Sequence, residues 1–196
     1  MNAKSKNYMA EKPTEQKIQY ADDDYESIGT LFKLRAPTLV VGLILGIGIS
    51  FITSTFEEVL AQNIQIAFFL PFIVYIAAAV GSQTDAIYSR DLKSGRAKFS
   101  NYFHKELILG LIFGLVFGAF SGGIAHLWLK NDLLTISIAI ATFIAIATAP
   151  IVALLVTQIF QHIHEDPAAG SGPIATVIQD MISIFIYGIV CSVIIL

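Results

Sequence analysis

The chain has 196 residues, of which 55% are hydrophobic and 14% charged, with a formal net charge of −3. A mean hydropathy of +0.70 is too apolar for an ordinary soluble domain and implies an all-α integral membrane protein. No basic patch favours nucleic acid, and the one cysteine, Cys191, excludes an internal disulfide.

Residues 1–30 are mixed in charge and poor in large aliphatics, with a cluster of Asp22, Asp23, Asp24 and Glu26. They read as a cytoplasmic polar tail ending in a short interfacial helix, ESIGTLFKLR. The acidic cluster is a solvated charge run, or else a gatherer of cations near a pore entrance. No secretory pattern opens the chain, so the first span is expected to act as its own insertion signal. Residues 31–196 form the expected transmembrane domain. A helix needs roughly 20 apolar residues to cross a bilayer, and the charge-free runs place five such helices at about 37–56, 64–88, 105–129, 133–160 and 173–195.

Lys33 and Arg35 precede the first span, and Pro37 suits a first helical turn, where its missing N–H has no partner to lose. Glu57 and Glu58 follow at the opposite interface, marking a loop or gathering cations. The second span carries Pro71 and then AAAVGSQTDAIYSRDL, where small and polar residues either let backbones approach or let the helix loosen around a cavity. Helical spacing puts Ala78, Ser82, Asp85 and Ser89 on one face and Ala79, Gln83 and Arg90 on another. Asp85 is either a second pathway acid or an interfacial residue paired with Arg90 or Lys93.

Arg90, Lys93, Arg96, Lys98 and Lys105 make the segment after this span the most basic in the chain, hence cytoplasmic. With five spans the amino terminus is then cytoplasmic and the carboxyl terminus outside, in a cell inner (plasma) membrane. The third span holds Gly110, Gly114, Gly118 and Gly122, a small-residue ladder expected to pack on Gly42 and Gly46 of the first span or across a subunit boundary. His126, near the outer interface, is expected to be hydrogen-bonded or wetted. Pro150 bends the fourth span by removing one backbone bond. Beyond it, His162, His164, Glu165 and Asp166 are metal ligands by type, although His-x-His is a weak signal.

The fifth span is interrupted by one carboxylate, Asp180. An ionised Asp in the hydrocarbon layer costs roughly 2.5–3.5 kcal/mol on insertion scales, and such residues usually face a bundle interior or a water path. Thr176, Asp180, Ser183 and Tyr187 recur at helical spacing and form a polar stripe. The alternative is that acid and hydroxyls only join helices. No nucleophile, base and orienting group fall at protected spacing, so an enzyme is not expected.

Three segments, LRAPTLVVGLILG, LPFIVYIAAAVGSQ and DPAAGSGPIATVIQDMISIFIYG, resemble the transmembrane domain of the MgtE family of magnesium channels and transporters, related to solute carrier family 41. The resemblance covers about residues 32–196 and implies a five-helix homodimeric bundle. It places Asp180 at the pore carboxylate, Asp166 at the acid before the last helix, and Gly81 and Gln83 on a Gly-x-Gln motif. Ala77, Ala78 and Ala79 stand where the family has Gly-Gly-Asn, so ion preference can differ, and Asp85, without a family counterpart, can compensate. Family members usually carry a cytosolic amino-terminal domain and paired CBS modules, neither of which is seen here; regulation is expected to be absent, minimal or supplied by another protein.

The expected function is movement of a partly hydrated divalent cation, Mg2+ or else Mn2+ or Co2+, along a pore lined by Asp180. Asp166, Thr176, Gly81, Gln83, Asp85 and Ala79 complete the candidate metal set. Magnesium prefers octahedral oxygen ligands and sheds water reluctantly, which suits few carboxylates around a hydrated ion. The expected partners are a second copy of the chain, the lipid bilayer and the cation itself. Two other readings remain open: a sodium- or proton-coupled exchanger, suggested by Asp85, and a non-conducting regulatory membrane subunit.

Overall fold

The computed structural model describes residues 24–162 and 167–196. Asp22, Asp23, His164, Glu165 and Asp166 lie outside the described residues, so Asp166 is not placed. The described chain is helical: α1 (Ile28–Ser54), α2 (Glu57–Gln62), α3 (Ile66–Lys93), α4 (Phe99–Leu129), α5 (Asp132–His162) and α6 (Pro167–Ile195). All but α2 are long and apolar enough to cross a membrane.

α1 begins earlier than its proline suggests. Ser27 accepts a hydrogen bond from the Thr30 amide at 3.2 Å and so caps the helix at Ile28, leaving Pro37 inside it rather than on its first turn. The stretch expected as a separate interfacial helix is continuous with the span. Pro37 is tolerated because the carbonyl it leaves unbonded belongs to exposed Lys33, within reach of water. Glu57 and Glu58 are exposed and open the short α2, which tucks Val59 into the core.

α5 is the hub, packed against α3, α4 and α6, while α1 leans on α6 and leaves most of its apolar surface outward. The glycine ladder of α4 meets α5, not the first span. A Cβ at Gly110 would stand 2.7 Å from the Ala147 carbonyl oxygen, one at Gly114 2.6 Å from that of Phe143, and one at Gly118 2.9 Å from that of Ala139. Only glycine lets the two backbones approach so closely. Ser121 joins the same seam by donating to Thr142 Oγ1 at 3.1 Å. Gly46, by contrast, has nothing near it, and Gly42 meets only Val177 of α6. His126 reaches Asp132 at 3.6 Å across the turn between α4 and α5, an exposed pair of little energetic weight.

Near the other end of α6, Tyr187 is buried and its hydroxyl donates to the Ile66 carbonyl at 2.5 Å, at the start of α3. Tyr187→Phe leaves that contact unmade, and hydrogen bonds within membrane bundles average about 0.6 kcal/mol. A loss of about 0.5–1.5 kcal/mol in unfolding free energy is expected, measured by denaturation in mixed micelles, with ion flux unchanged.

Candidate functional site

The carboxyl-terminal parts of α3 and α5 and the amino-terminal part of α6 converge at the end that carries the basic 90–105 segment. Asp85 lies about 12 Å inside the end of α3, at 1.5 Å per residue. Its Oδ1 accepts hydrogen bonds from Thr157 of α5 at 2.5 Å and Ser171 of α6 at 2.7 Å, with Ser89 of its own helix at 3.4 Å. One carboxylate therefore ties three helices together through hydroxyls. Arg90, one of the two basic partners considered for Asp85, turns instead to Asp91 at 3.0 Å.

A narrow cleft runs from Asp85 into the bundle between these helices. Ala78, Gly81, Ala149, Ala153, Gly172 and Ala175 form its walls, and Ser82, Asp85, Thr176 and Gln179 supply its polar groups. Its free space is about 10 Å³, close to the minimum that holds one water. α3 and α5 run close at Gly81, where an added Cβ would already be in van der Waals contact with the Ala149 carbonyl oxygen at 3.4 Å. α3 does not loosen at this point but runs unbroken from Ile66 to Lys93, so close backbone approach, not unwinding, is what the small residues achieve.

At the inner end of the cleft, Gln179 is 2% exposed. Its Nε2 donates to the Ala145 carbonyl and to Ser183 Oγ, each at 3.1 Å, and its Oε1 is buried with no hydrogen-bond partner among the described residues. The orientation of the amide is fixed by chemistry, because the Ala145 carbonyl can only accept. Thr176 lies between Gln179 and Asp85 and donates its proton to the Gly172 carbonyl at 2.9 Å.

Asp180 is half-buried in the middle of α6, and its Oδ1 is buried without a partner among the described residues. It does not line the cleft. Its neighbours Val177 and Met181 approach Gly42 and Gly48 of α1 instead. The stripe expected from spacing divides: Ser183 and Tyr187 are buried and engaged in structural hydrogen bonds, Thr176 enters the cleft, and Asp180 stands beside them. The fully buried face of α6 is Gln179, Ser183, Tyr187 and Cys191, one position round from the acid. Of the other candidates, Gly81, Asp85 and Thr176 share the cleft, whereas Gln83 is exposed and Ala79 half-exposed on other sides of α3.

Thr157, Ser171 and Gln179 were not anticipated. The signal available for Gln179 is an amide four residues before Ser183 in an otherwise apolar span; Ser171 belongs to the Ser-Gly-Pro of the third family-like segment, and Thr157 gave no signal, since hydroxyls are common in membrane helices. A further unanticipated pair is Thr84 donating to Glu106 of α4 at 2.8 Å. Among the described residues no three His, Cys, Asp or Glu side chains converge.

A family profile named MgtE, described as divalent cation transporter, matches residues 70–190. Proteins named magnesium transporter MgtE are similar over most of the chain. That of Bacillus subtilis (strain 168) is 25% identical over 186 residues, covering 87% of this chain and 41% of the relative. That of Enterococcus faecalis is 29% identical over 156 residues, covering 78% and 34%. That of Thermus thermophilus is 24% identical over 160 residues, covering 80% and 35%. The chain thus spans less than half the length of each relative.

Proposed function

The chain belongs to the MgtE family, and from that premise we propose that it moves divalent cations, Mg2+ first among them, across a membrane as a homodimer whose ion path passes Asp180. Its five apolar helices make it a multi-pass membrane protein. The observation that carries the reading is the Asp180 carboxylate, halfway along a membrane-length helix with a buried oxygen that no described group satisfies. A buried carboxylate in that state is costly unless a positive charge or proton meets it.

A second copy about a twofold axis supplies the missing geometry. Two Asp180 side chains brought together repel, and a dication between them turns that repulsion into shared coordination. Exposed Gln83, about 15 Å inside the end of α3 at 1.5 Å per residue, also gains cover from a second chain. Magnesium retains several waters when bound, so two carboxylates and neighbouring carbonyls suffice to pass it partly hydrated.

The test is influx of Mg2+ into reconstituted vesicles loaded with a magnesium-sensitive dye, with Mn2+ and Co2+ as competitors. Saturable Mg2+ influx that depends on Asp180 supports the reading. Vesicles no more permeable than protein-free ones overturn it.

A further inference from the structure

We propose that the cleft beside Asp85 is a binding site for a single monovalent cation, sodium by size, separate from the divalent path past Asp180. The inference uses neither Asp180 nor the movement of magnesium, so it stands or falls apart from the function proposed above.

Three observations converge on it. First, all three hydroxyl donors reach the same oxygen, Asp85 Oδ1. The other oxygen, Oδ2, faces Gly172, where an added Cβ would lie only 3.5 Å away. The hydroxyls thus fix the carboxylate by one oxygen and leave the second turned towards the cleft. Second, the polar groups along the cleft are rich in oxygen acceptors, and none of its lining residues is basic. Thr176 has given its proton to a backbone carbonyl, so its hydroxyl oxygen meets the cleft as an acceptor. Third, the inner end of the cleft holds Gln179, almost wholly buried, with an amide oxygen that lacks a donor. Such an orphaned acceptor is costly in a low-dielectric interior, and a cation or its accompanying water relieves the cost.

Charge and space select the occupant. Among the described residues Asp85 is the one carboxylate that lines the cleft; a dication facing it alone would keep an uncompensated positive charge in the bundle, and magnesium would also need room for its retained waters. The free space is about 10 Å³, which admits about one water-sized particle. A monovalent ion no larger than that neutralises Asp85 and lowers the cost of a charge at membrane depth, and sodium, smaller than a water molecule, enters without pushing the walls apart. Acceptors on α6 follow one another by about 6 Å from Gly172 to Thr176 and about 4.5 Å on to Gln179. The ion therefore sits at the Asp85 end, with Gln179 satisfied by water or by an ion that has moved inward.

The experiment measures binding of radioactive sodium to the purified whole chain in detergent, together with its melting temperature in sodium, potassium or choline chloride. The expected result is about one sodium per chain and a higher melting temperature in sodium than in the other two salts. Asp85→Asn should weaken sodium binding by about tenfold or more, as loss of a charged contact does. Because Asp85→Asn also disturbs the three-helix junction, Gly172→Ala is the second variant. Its methyl group fits in ordinary contact with Oδ2, leaves the Thr157 and Ser171 bonds in place, and fills the approach, so sodium binding should fall while the fold survives. Equal melting in all three salts, or sodium binding unchanged in both variants, overturns the proposal.

Discussion

Asp180→Ala should lower divalent-cation flux in reconstituted vesicles by about a hundredfold, while leaving the protein at least as stable as the parent. Both signs follow from one physical fact. The carboxylate costs roughly 2.5–3.5 kcal/mol to hold in the hydrocarbon layer, and removing it removes that cost. On the proposed path, the same free energy is what a passing dication would recover on meeting the charge, and at 1.4 kcal/mol per decade it corresponds to about two decades. Asp180→Asn should behave like the alanine variant, because an amide offers an oxygen without charge. Asp180→Glu should retain part of the flux. Unchanged flux in Asp180→Ala, in a protein that elutes as the parent does, removes Asp180 from the path.

Gly114→Val is expected to do the reverse, acting on the fold and through it on everything else. The missing side chain would occupy a point 2.6 Å from the backbone oxygen of Phe143, with the Phe143 ring at 3.1 Å. Backbone cannot swing aside as a side chain can, so α4 must separate from α5 along their whole seam. Overpacking of this kind costs about 1–3 kcal/mol, and the rigid opponent puts this case at or above the upper end. The expected readout is a lower unfolding midpoint in mixed micelles and poor recovery of monodisperse protein. Gly123→Ala is the control: nothing lies within 4 Å of that position, and alanine favours helix by about 1 kcal/mol over glycine. A Gly114→Val protein as stable as the parent would contradict the packing described for α4 and α5.

The two variants separate two roles that small and charged residues play in the same bundle. Without water between helices, close approach is achieved by deleting side chains, so the ladder from Gly110 to Gly122 is intolerant although it touches no ion. The buried oxygen of Asp180 has no hydrogen-bond partner among the described residues, so its removal should leave the fold intact. Asp85 lies between these cases. Its hydroxyl bonds to Thr157 and Ser171 hold α3, α5 and α6 in register, and this is why its test requires a second variant that spares those bonds.

Much of this was written in the chain itself. Runs of about 20 uncharged residues force helices wherever a bilayer is the solvent, because every backbone amide must be satisfied within its own segment; the five long helices follow from that. The oddity of Asp180 was equally plain, since one acid in an apolar span needs no neighbour to be recognised. Which helix each feature meets was not legible. Spacing puts Thr176, Asp180, Ser183 and Tyr187 on a common arc, yet packing rotated α6 so that Gln179, Ser183 and Tyr187 are buried and Asp180 stands at their edge. The glycine ladder announced a close partner but not that the partner is α5, and nothing local told Asp85 that its donors come from residues 72 and 86 positions later. Helix formation is settled by each segment's contact with its solvent, whereas pairing is settled by the fit of two surfaces, and half of that fit always lies elsewhere in the chain.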